Sequence, residues 1–292
     1  MKKGKALMRR IGMLTSGGDC QSLNATMRGV AKSLYKMFDD IEIVGFEDGY
    51  KGLMYADYRI MKQSDFSGIL TRGGTILGTS RQPFKLMRTP DENGLDKVEA
   101  MKHTYYKLKL ECLVILGGNG SQKTANLLRE EGLNIVSLPK TIDNDLALTD
   151  HTPGYGSAAK YIATSTKEVI RDGIGFSYKK QQVIIIEIMG RNAGWLTGAA
   201  ALSRGEDCDG PDLIYLPERP FNEEEFLEDV KKLYDEKGGV VVVASEGLKG
   251  ADGQPIVPPI FKAGRATYYG DVSAHLANLV IQKLGIKARS EK

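Results

Sequence analysis

Residues 112–145 read CLVILGGNGSQKTANLLREEGLNIVSLPKTIDND, and no other stretch constrains the fold as strongly. The apolar run Cys112–Leu116 has the length of a buried strand. Gly117, Gly118, Asn119, Gly120 and Ser121 form a loop after it. A helical pattern follows, with Ala125, Leu127 and Leu128 apolar among Gln122, Lys123, Arg129 and Glu130. Gly132 stops that helix. Asn134–Leu138 reads as a second strand, and Pro139–Asp145 as the loop behind it. The unit is βαβ, and a right-handed crossover sets its two strands side by side and parallel. Both loops then leave at the carboxyl edge of the sheet, where open α/β sheets bind ligands.

The chemistry of those loops is specific. A glycine-rich loop that opens a helix offers backbone N–H groups and the positive end of the helix dipole to an anion. Asp143 and Asp145 stand two residues apart, so in an extended segment their side chains point the same way. A phosphate cradle beside a pair of acids points to phosphoryl transfer onto a hydroxyl. One acid takes the proton and others hold Mg²⁺.

The rest of the chain repeats this style. Ile11–Leu14 is a short strand, followed by Thr15-Ser16-Gly17-Gly18-Asp19 and a helix over 22–37. Ile41–Gly45 is a strand that ends in the loop 46–50. Gly73–Arg81 is glycine-rich, and its terminal arginine reads either as a phosphate clamp or as a solvated surface residue. Residues 90–95 form a polar loop and 96–108 a basic helix. Pro153-Gly154-Tyr155-Gly156 leads into a helix that ends near Asp172. Gln182–Ile188 is a buried strand, with Met189–Gly194 opening a small-residue helix to Ser203. Leu213–Leu216 and Gly239–Ala244 are strands. Asn222 with Glu225 opens the helix 223–237 as a capping box, and Asp271–Leu284 is an amphipathic helix.

This alternation predicts an α/β protein with two Rossmann-like three-layer lobes and mainly parallel sheets. A chain of 292 residues is too long for one ordinary core. The expected lobes are 1–152 and 153–292. A net charge of +3, with basic and acidic residues mixed throughout, gives no reason to expect nucleic acid or membrane partners. Three cysteines without a pairing pattern fit a reducing compartment. The apolar run behind the basic N-terminus is too short for a signal peptide, so the chain is expected to be cytoplasmic.

Six of these segments together resemble the phosphofructokinases: LTSGGD (Leu14–Asp19), GGTILGTSR (Gly73–Arg81), GGNGS (Gly117–Ser121), PKTIDND (Pro139–Asp145), EIMGRNAG (Glu187–Gly194) and SEG (Ser245–Gly247). They occur in the family's order and cover nearly the whole chain, and TIDND is the sharpest. The resemblance implies a glycolytic kinase that phosphorylates the 1-hydroxyl of fructose 6-phosphate to give fructose 1,6-bisphosphate, using Mg²⁺. It implies Asp143 as the general base, Thr141 steadying the transferring group, and Asp145 holding the sugar or orienting the base. Gly17, Arg81 and Gly117, Gly118, Asn119, Gly120 and Ser121 would hold the donor phosphates. Tyr50 would lie at the donor base. Met189, Gly190, Arg191 and Glu246 would contact the sugar phosphate, Arg191 joining the catalytic set with Gly17 and Arg81. The resemblance also implies that the lobe 1–152 binds the donor and the lobe 153–292 the sugar phosphate, with the C-terminal helix packing back towards the first lobe. The family is usually dimeric or tetrameric.

Three features depart from the family pattern. Gly120 leaves room for a nucleotide α-phosphate and looks ATP-like, whereas Lys140 and the stretch Asp150–Lys160 look like the pyrophosphate-using branch. Gly120 is weighted more, so ATP is the expected donor and pyrophosphate the alternative. Asn119 replaces an aspartate that would help hold Mg²⁺, which keeps an oxygen and loses a charge. The family pattern continues past Lys292, which implies a C-terminally truncated chain. Arg289 would match an arginine that reaches a neighbouring subunit's substrate, while Gln182 stands where bacterial ATP enzymes usually place a subunit-crossing arginine. Two rival readings follow. One is another small-molecule kinase with a GG-x-G loop, which would lack TIDND and MGR. The other is a non-catalytic phosphate-binding protein.

Overall fold

A computed structural model of the chain describes residues 8–175, 181–263 and 266–292. Two compact units emerge: Met1–Ile142 with Leu146–Gly154, and Asp143–Asp145 with Tyr155–Lys292.

The first unit is built on five strands: β1 (Arg9–Ser16), β2 (Ile41–Phe46), β3 (Tyr58–Met61), β4 (Cys112–Gly117) and β5 (Ile135–Pro139). Their order is β3-β2-β1-β4-β5, all parallel except the antiparallel edge strand β3. The helices are α1 (Leu23–Met37), α2 (Tyr50–Tyr55), α3 (Lys97–Lys107) and α4 (Asn119–Glu130). Strand alternation explains the layering. Ile11, Met13, Ile43 and Val114 bury one face against Leu23, Met27 and Ala31 of α1. Leu14, Val44, Leu113 and Ile115 bury the other against Leu53, Met101, Tyr105 and Leu128 of α2, α3 and α4.

The second unit carries β6 (Val183–Ile188), β7 (Leu213–Tyr215), β8 (Val240–Ser245) and β11 (Ala288–Glu291) in a parallel sheet of order β11-β6-β8-β7. A separate antiparallel hairpin pairs β9 (Pro259–Ala263) with β10 (Ala266–Tyr269). Its helices are α5 (Tyr155–Gly175), α6 (Trp195–Ala199), α7 (Glu223–Lys237) and α8 (Val272–Leu284). Asn222 accepts hydrogen bonds from the N–H groups of Glu224 and Glu225 and so caps α7. The helix expected to return towards the first lobe, α8, belongs to this second unit. Its apolar stripe of Val272, Leu276, Leu279 and Val280 packs with Val183, Ile185, Val240 and Val242 of the second sheet.

Both sheets are mainly parallel, as the alternation predicts. The sequence reading missed α2, β3, β11 and the hairpin. α2 is six residues with an internal glycine, too short to show a period. β3 is an edge strand of four residues, three of them exposed, and β11 reads ARSE with no apolar alternation. Backbone pairing to β2 and β6 holds them, and side-chain pattern cannot report that. Among the described residues no helix is long and apolar enough to cross a membrane.

Candidate active site

In the first unit the strand order reverses between β1 and β4, which marks the switch point where open sheets bind ligands. Register brings three loops to one level: Ser16 pairs with Gly117, and Gly117 with Pro139. Hence Gly17-Gly18, Gly118-Asn119 and Lys140-Thr141 all leave the sheet side by side.

The helix α4 begins at Asn119, so Asn119, Gly120 and Ser121 form its first turn and are not part of a loop. First-turn N–H groups have no partner within the helix, which suits them to phosphate oxygens. Asn119 and Gly120 are exposed. A Cβ on Gly120 would meet no atom within 4 Å. The chain's own packing therefore does not require glycine there. Ser121 is different: it is buried, and its hydroxyl donates to Ser16 Oγ at 3.0 Å. It offers a ligand its backbone and not its hydroxyl.

Tyr50 is corrected by the structure. Its ring is 1% exposed and packs in the core with Leu53, Met101 and Leu128. Its phenol donates to the Ser121 carbonyl at 2.8 Å. A ring enclosed in this way braces the α4 turn and presents no face to a nucleotide base. Burial pushes the phenol's pKa far above its ordinary value.

Two cations flank the glycine pair. Lys140 is 5% exposed, and its ammonium donates to the Gly18 carbonyl. A buried ammonium must be held by such acceptors. On the other side, Arg81 Nη2 lies 3.4 Å from where a Cβ on Gly18 would stand. Arg81 is brought there by its own loop: Thr79 donates to the Gly17 carbonyl at 2.8 Å, and Gly17 N–H donates to the Ser80 carbonyl at 3.2 Å. Buried Asn24 holds the start of that loop. Its amide donates to the carbonyls of Arg72 and Gly73 and accepts from Ile76 N–H. The signal for these supports was the polar Thr79-Ser80 pair before Arg81, which sequence reasoning did not single out.

The PKTIDND loop follows. Lys140 N–H donates to the Gly117 carbonyl at 3.1 Å and Thr141 N–H to the Pro153 carbonyl at 3.2 Å. Asn144 adopts a left-handed conformation, φ 55°, and is buried. The segment is therefore not extended, and the period-two argument for Asp143 and Asp145 does not hold. Asp143 is half-buried and Asp145 exposed. Asparagine is one of the few residues that tolerates this turn, through its short polar side chain.

In the second unit, Ile188 pairs with Ser245, so the loops Met189–Arg191 and Glu246-Gly247 emerge together. Glu246 Oε1 accepts from Gly190 N–H at 3.2 Å, and Ser245 Oγ donates to the Gly190 carbonyl at 3.0 Å. A Cβ on Gly247 would fall 1.9 Å from the Arg191 carbonyl oxygen, so only glycine allows this approach. Met189 is 58% exposed and Arg191 is exposed too. Arg289 lies on β11. Its guanidinium is 2.7 Å from Asp172 and 3.2 Å from Glu291. Beside this edge is a group that sequence reasoning missed. Glu187, a charge inside an otherwise apolar strand, accepts from Ser273 N–H at 2.9 Å, and Lys292 lies 3.0 Å from Asp271.

The three aligned loops, the first turn of α4 and the two flanking cations all lie at the switch point of a doubly wound α/β sheet. The family profile for phosphofructokinase matches residues 10–292. The chain belongs to the phosphofructokinase family. It is 48% identical over 221 residues to an ATP-dependent 6-phosphofructokinase of Spirochaeta thermophila, an alignment covering 73% of this chain and 57% of that protein. It is 36% identical to ATP-dependent 6-phosphofructokinase 3 of Streptomyces coelicolor, covering 96% and 78%. The crystal structure of a pyrophosphate-dependent phosphofructokinase from Marinobacter aquaeolei superposes with a TM-score of 0.78 at 29% identity, covering 97% of this chain and 67% of that one. The chain thus spans little more than half the length of the Spirochaeta relative.

Proposed function

We propose that this chain phosphorylates the 1-hydroxyl of fructose 6-phosphate, with ATP as donor. The carrying observation is the glycine pair Gly17-Gly18 with Lys140 and Arg81 on either side, beside the open first turn of α4. In this reading the backbone N–H groups of that turn, with Arg81, hold the donor phosphates. Asp143 takes the hydroxyl proton as the 1-oxygen bonds to the γ-phosphorus. The bond from that phosphorus to the β,γ-bridging oxygen breaks, and ADP leaves. Thr141 steadies the transferring group. Met189, Gly190, Arg191 and Glu246 hold the sugar phosphate. The work is positioning and charge neutralisation, which calls for no covalent nucleophile.

Asp19 and Asn119 suit Mg²⁺ of a particular kind. Both are exposed just after paired strands, Asp19 on the loop behind β1 and Asn119 at the start of α4, and among the described residues no three acids, histidines or cysteines gather to hold a metal. Two oxygen side chains without a cage fit an ion held largely by donor phosphates and water. Bound there, Mg²⁺ would offset charge on the transferring group.

Pyrophosphate is the second reading. Lys140 favours it, because an ammonium at the Gly18 carbonyl supplies charge to a small inorganic donor without help from a nucleotide. The Marinobacter neighbour is described as using that donor. Open space at Gly120 favours ATP. The test is fructose 1,6-bisphosphate formation with ATP and with pyrophosphate, side by side, in the presence of Mg²⁺. Turnover with neither donor sinks the assignment. We also propose a homodimer or homotetramer, the family's usual assembly, and a cytoplasmic location, which light scattering and fractionation would check.

A further inference from the structure

We propose that Thr152 is a positioning residue for phosphoryl transfer: its hydroxyl fixes the Thr141 peptide at the start of the TIDND segment. This inference rests on the phosphotransferase reading above.

Thr152 is 2% exposed, and its Oγ1 donates to the Thr141 carbonyl at 2.8 Å. The neighbouring Pro153 carbonyl accepts from Thr141 N–H at 3.2 Å. Both backbone polar groups of Thr141 are thus clipped to residues 152 and 153. One parallel bridge, Thr141 to Gly154, completes the clip. On the upstream side, Lys140 N–H is anchored on the Gly117 carbonyl at the end of β4.

The Thr141 carbonyl belongs to a planar peptide whose opposite edge is the N–H of Ile142. Holding the oxygen therefore sets where that N–H points and the direction in which the chain runs on to Asp143. A hydroxyl donor that is buried does not exchange for water, so the peptide plane is held in one orientation. The clip is also backed. Gly154 has φ +111°, and a Cβ there would lie 2.9 Å from Cys20 Sγ and 3.3 Å from the Thr141 oxygen. Residues 152–154 can come this close only with glycine at 154, and Cys20 closes the space behind. Cys20 follows the Thr15–Asp19 loop, so the support for Thr141 is tied to the loop that holds the donor.

A threonine that only filled space would affect folding and not the chemical step. The two roles separate in kinetics, since a positioning residue lowers kcat with little change in KM. The experiment uses the full chain. Thr152→Val replaces the hydroxyl with a methyl, Thr152→Ala removes the hydroxyl without adding bulk, and Thr152→Ser keeps it. Expected are a kcat about tenfold or more lower in Thr152→Val and Thr152→Ala, KM for donor and sugar within about twofold, and recovery of most of kcat in Thr152→Ser. Should Thr152→Val fail to fold, the comparison of Thr152→Ala with Thr152→Ser decides. Equal kcat in those two variants overturns the proposal, as does a Thr152→Val that turns over like the parent. In either case the parent's own turnover leaves the phosphotransferase reading standing. A parent inactive with both donors overturns that reading and this proposal together.

Discussion

The phenol of Tyr50 donates a hydrogen bond of 2.8 Å to the carbonyl of Ser121, 71 positions away in the chain. It ties the short helix after β2 to the first turn of α4, the turn proposed to hold the donor phosphates. Tyr50→Phe keeps the ring and removes the donor, leaving a buried carbonyl one bond short. The expected loss is about 1–3 kcal/mol of stability, together with a raised donor KM and an unchanged sugar KM. Because burial raises the phenol's pKa, its contribution holds below about pH 10, where the unfolded phenol titrates, and fades as pH rises beyond. Chemical denaturation of the two proteins between neutral and alkaline pH checks both points. Equal midpoints at neutral pH would remove Tyr50 from the donor site's support.

Asp143→Ser should reduce turnover by a factor of about 10² or more and leave the fold intact, because a general base contributes about that much. Circular dichroism and steady-state rates on the same preparation decide it. Unchanged turnover would falsify the assignment of the base.

Gly120→Asp tests the donor. No atom lies within 4 Å of the new Cβ, and an acid in the first turn of a helix is favourable, so thermal stability should hold. An aspartate there occupies and charges the space proposed for a nucleotide α-phosphate. ATP-driven turnover should fall by about tenfold or more, since a like charge beside a phosphate costs at least about 1.4 kcal/mol at short range. An ATP user that tolerates the change would show that the nucleotide lies elsewhere.

Gly247→Ala would set a methyl 1.9 Å from the Arg191 carbonyl oxygen. Backbone must move, at a cost of about 1–3 kcal/mol. The Glu246–Gly190 contact would shift with it, so sugar KM should rise while donor KM stays. If melting temperature and both KM values are unaltered, the two loops do not depend on this approach.

Asp271 predicts an acid limb. Partial burial alone would raise its carboxyl pKa, but Ala274 N–H, Ser273, Lys292 and Glu187 override that and hold it at about 2. A lowered folded-state value means stability that is present above about pH 4 and lost as pH falls towards 2. The neighbouring Glu187 is shifted the other way, upwards, chiefly by burial. Its contribution is present at low pH and lost as pH rises past the usual glutamate range. Asp271→Asn keeps a capping oxygen for α8 and removes the charge, so unfolding between pH 2 and 4 should become less steep. An unchanged pH profile would show that the carboxylate is not what the helix start relies on.

The local pattern of the chain determined much of this. The βαβ unit at 112–145, the α/β class, the capped helix at 223–237 and the strand ends that carry Gly17, Gly120, Thr141 and Asp143 follow from apolar periodicity and glycine placement. Both are properties of neighbouring residues, so they can be read without a structure. The tertiary structure decided what depends on distant pairings. Tyr50 carries the sequence marks of a loop residue, and only packing against α3 and α4 turns it into a buried brace. Asp143 and Asp145 have the spacing of a strand, and one left-handed residue between them cancels it. β11 shows no strand pattern at all and exists because β6 supplies its hydrogen bonds. The support of Thr141 by Thr152 has no sequence signature either. Two groups that meet through a buried hydroxyl and a carbonyl leave no periodicity, and the contact exists only once the fold has brought them within 2.8 Å.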